Sequence, residues 1–271
     1  MTSNSTTTVF VDRLRSRQQT VGYWVVCDNP VATERVAMTG YDYVCLDAQH
    51  GLMEYRGLLA GITAIDAAGT AALVRVQAND PFWIAQALDA GARGVIVPMI
   101  ETVADAEAAV AACRFPPAGH RSNGALRAGL RIGPSPARAN AEIACIVMIE
   151  TSSALRNVAE IATVPGIDAI YIGPSDLRLS LGGATPTDPA VDAEFEAAVT
   201  AVRTAAAAAG KAVGIHCPDG VVAARRVAEG FDYVSIANDL MHLEHSAKSH
   251  LAQAVGETHT AAKEVAPDTA R

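Results

Sequence analysis

Eight times along this chain, a short apolar run rich in β-branched residues is followed by a longer segment with helical spacing. The runs are VGYWVVC (21–27), YDYVCLD (41–47), AALVRVQ (71–77), GVIVPMI (94–100), CIVMIE (145–150), AIYIG (169–173), KAVGIHC (211–217) and DYVSIAN (232–238). Helical segments follow over 29–40, 54–69, 81–91, 102–113, 152–163, 189–210 and 219–230, with a final helix from about Asp239. Strands that alternate with helices imply parallel β-α units, because a parallel strand needs a long crossover to return. Eight such units in 271 residues predict an α/β protein, a single-domain (β/α)8 TIM barrel. The competing arrangement is an open doubly wound sheet. Neither G-x-G-x-x-G after the first strand nor G-x-x-x-x-G-K-[ST] is present, so the usual nucleotide loops are missing. The expected organisation is a flexible N-terminal tail over 1–10, the barrel over 11–245, and a C-terminal helix with a polar tail over 246–271.

Two segments interrupt the repeat. FPPAGHRSNGALRAGLRIGPSPARAN (115–140) reads as a long loop, and LSLGGATPTD (179–188) as a second. Long loops in compact domains tend to be functional or mobile.

Composition narrows the function classes. Half the residues are hydrophobic, yet no apolar run approaches the roughly 20 residues of a membrane span. Net charge is −8 with no basic stripe, which argues against nucleic acid and membranes as partners. The start, MTSNSTTTVF, has no basic region and no long apolar stretch, so no signal peptide is expected and Asn4-Ser5-Thr6 is read as tail rather than a glycosylation site. Cys27, Cys45, Cys113, Cys145 and Cys217 are scattered and form no Cys-x-x-Cys. Free, mostly buried thiols in a reducing cytoplasm are expected.

In a barrel of this kind the chemistry sits at the C-terminal ends of the strands. Polar residues there are Asp47, Gln49 and His50 after strand two, Arg75 in strand three, Glu150 after strand five, Asp176 after strand six, His216 in strand seven, and Asn238 with Asp239 after strand eight. Glu150 and Asp176 on one rim would repel unless a proton or cation lay between them, and oxygen ligands suit Mg²⁺ or Mn²⁺. The structural alternative is that Glu150 caps the next helix and Asp176 is a turn residue. Arg75, inside a strand, needs an anionic partner, either a substrate oxygen or Asp47. His50 is placed for proton transfer or is an exposed loop residue. His216 is a second site residue or part of the core. Lys211, Lys248 and Lys263 are the lysines. None is expected in the pocket, so Schiff-base chemistry is excluded and an electron sink must come from elsewhere.

Taken together, YDYVCLDAQHG (41–51), LVRVQANDP (73–81), ALDAGARGVIVPMIET (87–102), CIVMIET (145–151) and VPGIDAIYIGPSDLRLSLG (164–182) resemble the HpcH/HpaI aldolase family, metal-dependent class II pyruvate aldolases of the phosphoenolpyruvate/pyruvate barrel superfamily. The resemblance spans nearly the whole barrel. It implies reversible cleavage of a 4-hydroxy-2-oxo acid to pyruvate, or a close 2-oxo acid such as hydroxypyruvate, and an aldehyde, through a metal-held enolate. It further implies Glu150 and Asp176 as ligands of Mg²⁺ or Mn²⁺, with Co²⁺ also open. Gly173, Pro174 and Ser175 would receive the substrate carboxylate, with Met148 against the substrate. Arg75 would stabilise the enolate, His50 would transfer the proton, Asp89 would partner that histidine and Asp47 would support it. Family members form hexamers with an exchanged last helix, so a homo-oligomer is expected. Gln49 and Met148 stand where several relatives carry Glu and Gln, and Met148 makes the pocket less polar. The alternatives are a citrate-lyase-β-type acyl-CoA lyase, which would need a basic patch such as Arg121, Arg127 and Arg131, and a non-catalytic metabolite-binding barrel.

Overall fold

The computed structural model describes residues 6–255. Eight parallel strands close into a barrel in chain order: β1 Thr20–Val25, β2 Tyr43–Asp47, β3 Ala71–Arg75, β4 Gly94–Val97, β5 Ala144–Ile149, β6 Ala169–Ile172, β7 Ala212–Cys217 and β8 Tyr233–Asn238. β1 pairs with both β2 and β8, which seals the sheet and leaves no edge. The helices that return the chain are α2 Pro30–Ala37, α3 Tyr55–Ala67, α4 Pro81–Asp89, α5 Val103–Cys113, α8 Ser152–Thr163, α10 Asp192–Ala208 and α11 Gly220–Ala228. Their starts carry the chemistry that fixes a helix N-terminus. Asn29, Asp80, Thr151 and Asp219 each accept a first-turn N–H, and Thr102 with Asp105 forms a reciprocal capping box.

Strand alternation sorts the side chains into two cores. Val44, Leu46, Val74, Val95, Val147, Ile170 and Val213 face outward against the helices. Tyr43, Cys45, Leu73, Ile96, Ile146, Met148, Tyr171 and Tyr233 fill the barrel. The three tyrosine rings fit because small residues face them: a Cβ on Gly22 would overlap the Tyr43 ring, and one on Gly214 the Tyr233 ring. The buried hydroxyls of Tyr43 and Tyr233 donate to Val234 O at 3.1 Å and Ile170 O at 2.9 Å.

The structure departs from the sequence reading in four places. A helix, α1 (Thr6–Arg15), begins inside the predicted tail, whose residues 1–5 lie outside the described residues. Phe10, Val11 and Leu14 close the N-terminal end of the barrel as part of its inner core. Burial of a side chain of that size contributes about 1.5–3 kcal/mol. Arg13, Arg15 and Arg17 pin the segment to Asp42, Asp168 and Asp232. The predicted loop 115–140 contains α6 (Leu126–Ile132) and most of α7 (Pro136–Glu142), with Ser135 as the α7 N-cap. The Gly-Pro-Ser-Asp stretch opens α9 (Pro174–Ser180). Finally α12 (Asp239–Val255) runs unbroken across the expected boundary at 245/246 and has no buried residue. The polar tail from 256 lies outside the described residues.

Candidate active site

At the C-terminal mouth of the barrel, a cavity of about 280 Å³ is lined by Trp24, Asp47, His50, Arg75, Met148, Glu150, Tyr171, Gly173, Pro174, Ser175, Asp176 and His216, among others. Nine of the ten residues proposed from the sequence, all but Asp89, meet there.

Asp47, at the end of β2, organises one side. Its carboxylate is buried and accepts five hydrogen bonds: from Arg75 Nε at 3.0 Å and Nη2 at 2.5 Å, from Trp24 Nε1 at 3.2 Å, and from the backbone N–H groups of Gln49 at 3.0 Å and His50 at 3.2 Å. One carboxylate thus fixes both the guanidinium and the turn that carries the histidine. The turn is tight: a Cβ on Gly51 would collide with the Asp47 carbonyl. Burial pushes the Asp47 carboxyl up, but the hydrogen bonds and charge of Arg75 outweigh it, and the net shift is downward. Burial likewise works against the Arg75 charge, and Asp47 more than restores it. Arg75 also lies over the Trp24 ring, 5.2 Å from its centroid, in a cation–π contact. Its Nη1 stays outside the Asp47 fork.

Glu150 organises the other side. It is 1 % exposed, and its Oε1 accepts the Met99 N–H at 2.8 Å. It does not cap α8, because Thr151 does. The other oxygen, Oε2, lies against Gly173, where a Cβ would strike it. Burial raises the Glu150 pKa, the Met99 N–H opposes that, nearby Asp176 raises it further, and Arg75 lowers it. Asp176 is exposed in the first turn of α9, whose leading N–H groups have no intrahelical acceptor. A buried carboxylate near a second one, with Gly173 leaving room at its free oxygen, is a donor set that fits a hard divalent cation. Among the described residues no group of three or more His, Cys, Asp or Glu is arranged to hold a metal, so remaining coordination positions would fall to substrate oxygens and water.

His216 lines the cavity with its ring edge-on to Trp24, 5.3 Å between centroids. Burial and the Arg75 charge push its pKa down to about 4 against the pull of Asp47, so the imidazole is neutral near pH 7. Met148 is buried on the same face as Glu150.

Asp89 is the residue placed differently. It ends α4, at the opposite mouth of the barrel, and accepts Arg121 Nη2 at 2.6 Å. Within the chain it does not reach His50. Arg127 and Arg131 at that end pair with Asp66, so the three arginines considered as a thioester patch stand far from the cavity and are neutralised by carboxylates. Lys211 immediately precedes β7 and donates to Ile167 O, and Lys248 is exposed on α12 beside Glu244. No lysine among the described residues lines the cavity.

Trp24 and Tyr171 were not foreseen. Their rings stack, 5.7 Å apart at 18°, and form the cavity floor. An aromatic inside an apolar strand reads as core, and only the alternation that aligns Trp24 with Gly22 hinted at the inner face.

Comparison with known proteins bears out the family resemblance. The model of the HpcH/HpaI aldolase/citrate lyase family matches residues 20–246. The hydroxypyruvate/pyruvate aldolase of Rhizorhabdus wittichii is 41% identical over 232 residues, 85% of this chain and 92% of that one. The 4-hydroxy-2-oxo-heptane-1,7-dioate aldolase of Salmonella arizonae is 36% identical over 245 residues, 89% of this chain and 92% of that one. A crystal structure of a family protein from Burkholderia cenocepacia superposes with a TM-score of 0.84 at 33% identity, covering 91% of this chain and 99% of the other. The chain belongs to the HpcH/HpaI aldolase/citrate lyase family.

Proposed function

We propose that this chain is a carbon–carbon lyase that reversibly cleaves a 4-hydroxy-2-oxo acid into pyruvate, or hydroxypyruvate, and an aldehyde. The observation that carries the reading is the convergence of His50, the Arg75–Asp47 pair and the Glu150–Asp176 pair on one cavity.

Retro-aldol cleavage needs a base at the C4 hydroxyl and a sink for the electron pair released when the C3–C4 bond breaks. His50, held by Asp47 through its backbone, takes the C4 hydroxyl proton. The C4–O pair becomes the aldehyde carbonyl, and the C3–C4 pair moves into C2–C3 to give an enolate oxygen at C2. Arg75, its charge secured by Asp47, stabilises that oxygen. Return of a proton to C3 completes the 2-oxo acid. The first-turn N–H groups of Ser175 and Asp176, beside Gly173 and Pro174, receive the substrate carboxylate. Glu150 and Asp176 would hold a divalent cation, Mg²⁺ or Mn²⁺ with Co²⁺ also suited, which would supply Lewis-acid polarisation of the keto group. Asp47 acts by positioning, and Asp89 has no role in its own chain's cavity. Met148 and the Trp24–Tyr171 floor give the pocket an apolar wall.

A homo-oligomer, a hexamer by family resemblance, is supported by α12, which projects from β8 with Leu240, Met241, Leu243, Leu251 and Val255 exposed. Light scattering on a sizing column tests it. No described helix is long and apolar enough to cross a membrane. Five free cysteines, four of them buried, support a cytoplasmic setting. Pyruvate release from a panel of 4-hydroxy-2-oxo acids, followed with lactate dehydrogenase, tests the activity. Release from at least one member is expected, and release from none contradicts the reading.

A further inference from the structure

Outside the cavity, two serines join the elements that carry its two acidic residues. Ser152 is the first residue of α8 and stands two positions after Glu150; Ser180 is the last residue of α9 and stands four positions after Asp176. Three hydrogen bonds link them. The Ser152 N–H donates to Ser180 Oγ at 2.7 Å, Ser152 Oγ donates to Ser180 O at 2.7 Å, and Ser180 Oγ donates to Ser152 Oγ at 3.1 Å. Each hydroxyl spends its one proton, so all three bonds can exist at once. Each serine also satisfies a group that the other's helix leaves open, a first-turn N–H of α8 and a last-turn C=O of α9. The negative end of α9 meets the positive end of α8, which favours the contact. Neither serine lines the cavity.

The two acidic residues are unequally held. Glu150 is buried and accepts the Met99 N–H at 2.8 Å. Thr151, next to it, donates to Glu101 Oε1 at 2.9 Å and accepts the Ala154 N–H at 3.0 Å. Asp176 is exposed on a helix of seven residues. In that helix Leu177 is buried, and Arg178 pairs with Asp192 at 2.6 Å, which ties α9 to the segment that follows it. The tie to the Glu150 side comes from Ser180, about 6 Å along the helix axis from Asp176. We propose that Ser152 and Ser180 are a positioning pair: their clasp fixes the separation of Glu150 and Asp176 and so sets the affinity of those carboxylates for a divalent cation. Neither serine touches the cation or the substrate. This deepens the aldolase reading through its Glu150–Asp176 pair and rests on it.

The test is calorimetric titration of the full-length protein with Mn²⁺, after EDTA treatment and dialysis, with thermal midpoints measured beside it. Ser180→Ala should weaken Mn²⁺ binding about fivefold, the effect of losing one or two exposed hydrogen bonds, while the midpoint stays close to that of the unmodified protein. Ser152→Ala should weaken it as well, and the double variant should bind no more weakly than Ser180→Ala alone, because the two side chains act as one unit. Ser180→Thr keeps the hydroxyl and should bind like the unmodified protein. Unchanged Mn²⁺ affinity in both single variants, losses that add in the double variant, or a Ser180→Thr as weak as Ser180→Ala overturns the clasp. Glu150→Gln tests the reading beneath it: if Mn²⁺ affinity is the same in Glu150→Gln as in the unmodified protein, the carboxylate pair holds no metal, and the clasp falls with it.

Discussion

The backbone N–H of Met99 donates to Glu150 Oε1 at 2.8 Å, and Met99 holds that position with a φ of 55°. A non-glycine residue in this region costs on the order of 1–3 kcal/mol and persists where its surroundings over-determine it. Here the strained turn aims an N–H at a buried carboxylate. One oxygen is fixed by the backbone, and the other is left facing the Gly173 loop.

Glu150→Gln keeps the size and the Met99 contact but removes the charge. It should lower kcat/KM at least about a hundredfold and weaken Mn²⁺ binding by a similar factor. Steady-state kinetics and calorimetric metal titration check this. Retention of both would remove Glu150 from the metal site.

Arg75 and Asp47 should prove inseparable. Arg75→Ala leaves the buried Asp47 carboxylate unpaired, and loss of one partner of a buried pair costs about 3–5 kcal/mol. Arg75→Lys keeps a charge but not the two-pronged contact, so thermal stability should be largely retained while turnover falls. Unfolding midpoints measured beside kcat separate the two effects.

Asp47 also sets an acid limb. Its folded pKa lies below the ordinary aspartate value, so between the two the unfolded state binds more protons. The stability it contributes is therefore complete above about pH 4 and is lost as pH falls through the lower folded value. Asp47→Asn should be less stable at pH 7 and lose less on acidification. Denaturant unfolding between pH 7 and pH 3 reads the difference.

The barrel was legible because its strands are apolar runs bounded by helical spacing, and all eight lie where that pattern puts them. Asp47, Arg75 and Glu150 were legible for a related reason: a charged residue closing a buried run has few uses besides a site. What escaped has physical causes. LRAGLRI carries a central Gly129 and ends against Gly133, so its helix propensity is low, although Ser135-Pro136 ahead of α7 was a readable start signal. Phe10 and Leu14 are spaced i, i+4, but the Ser/Thr run before them masked α1. Asp89 was assigned by motif. The nine residues of α4 carry it roughly 12 Å down the outside of the barrel, a displacement that spacing along the chain does not reveal.

His216 should titrate as a buried base. Its pKa is pushed down to about 4, so its ring resonances should stay flat from pH 8 to pH 5 and move only below that. The sign for stability follows: from the unfolded value near 6.5 down to 4 the unfolded state binds the extra proton, so stability is lost on acidification. A midpoint near 6.5 by heteronuclear NMR would contradict the burial and charge argument.

Metal removal tests the central claim most directly. Pyruvate release from a cleavable 4-hydroxy-2-oxo acid would be followed in the purified protein, after treatment with EDTA, and after Mg²⁺ or Mn²⁺ is restored. The account predicts that EDTA stops release and that the metal restores it, with no restoration in Glu150→Gln. Release that continues undiminished in EDTA would contradict the assignment of Glu150 and Asp176 and the mechanism built on them.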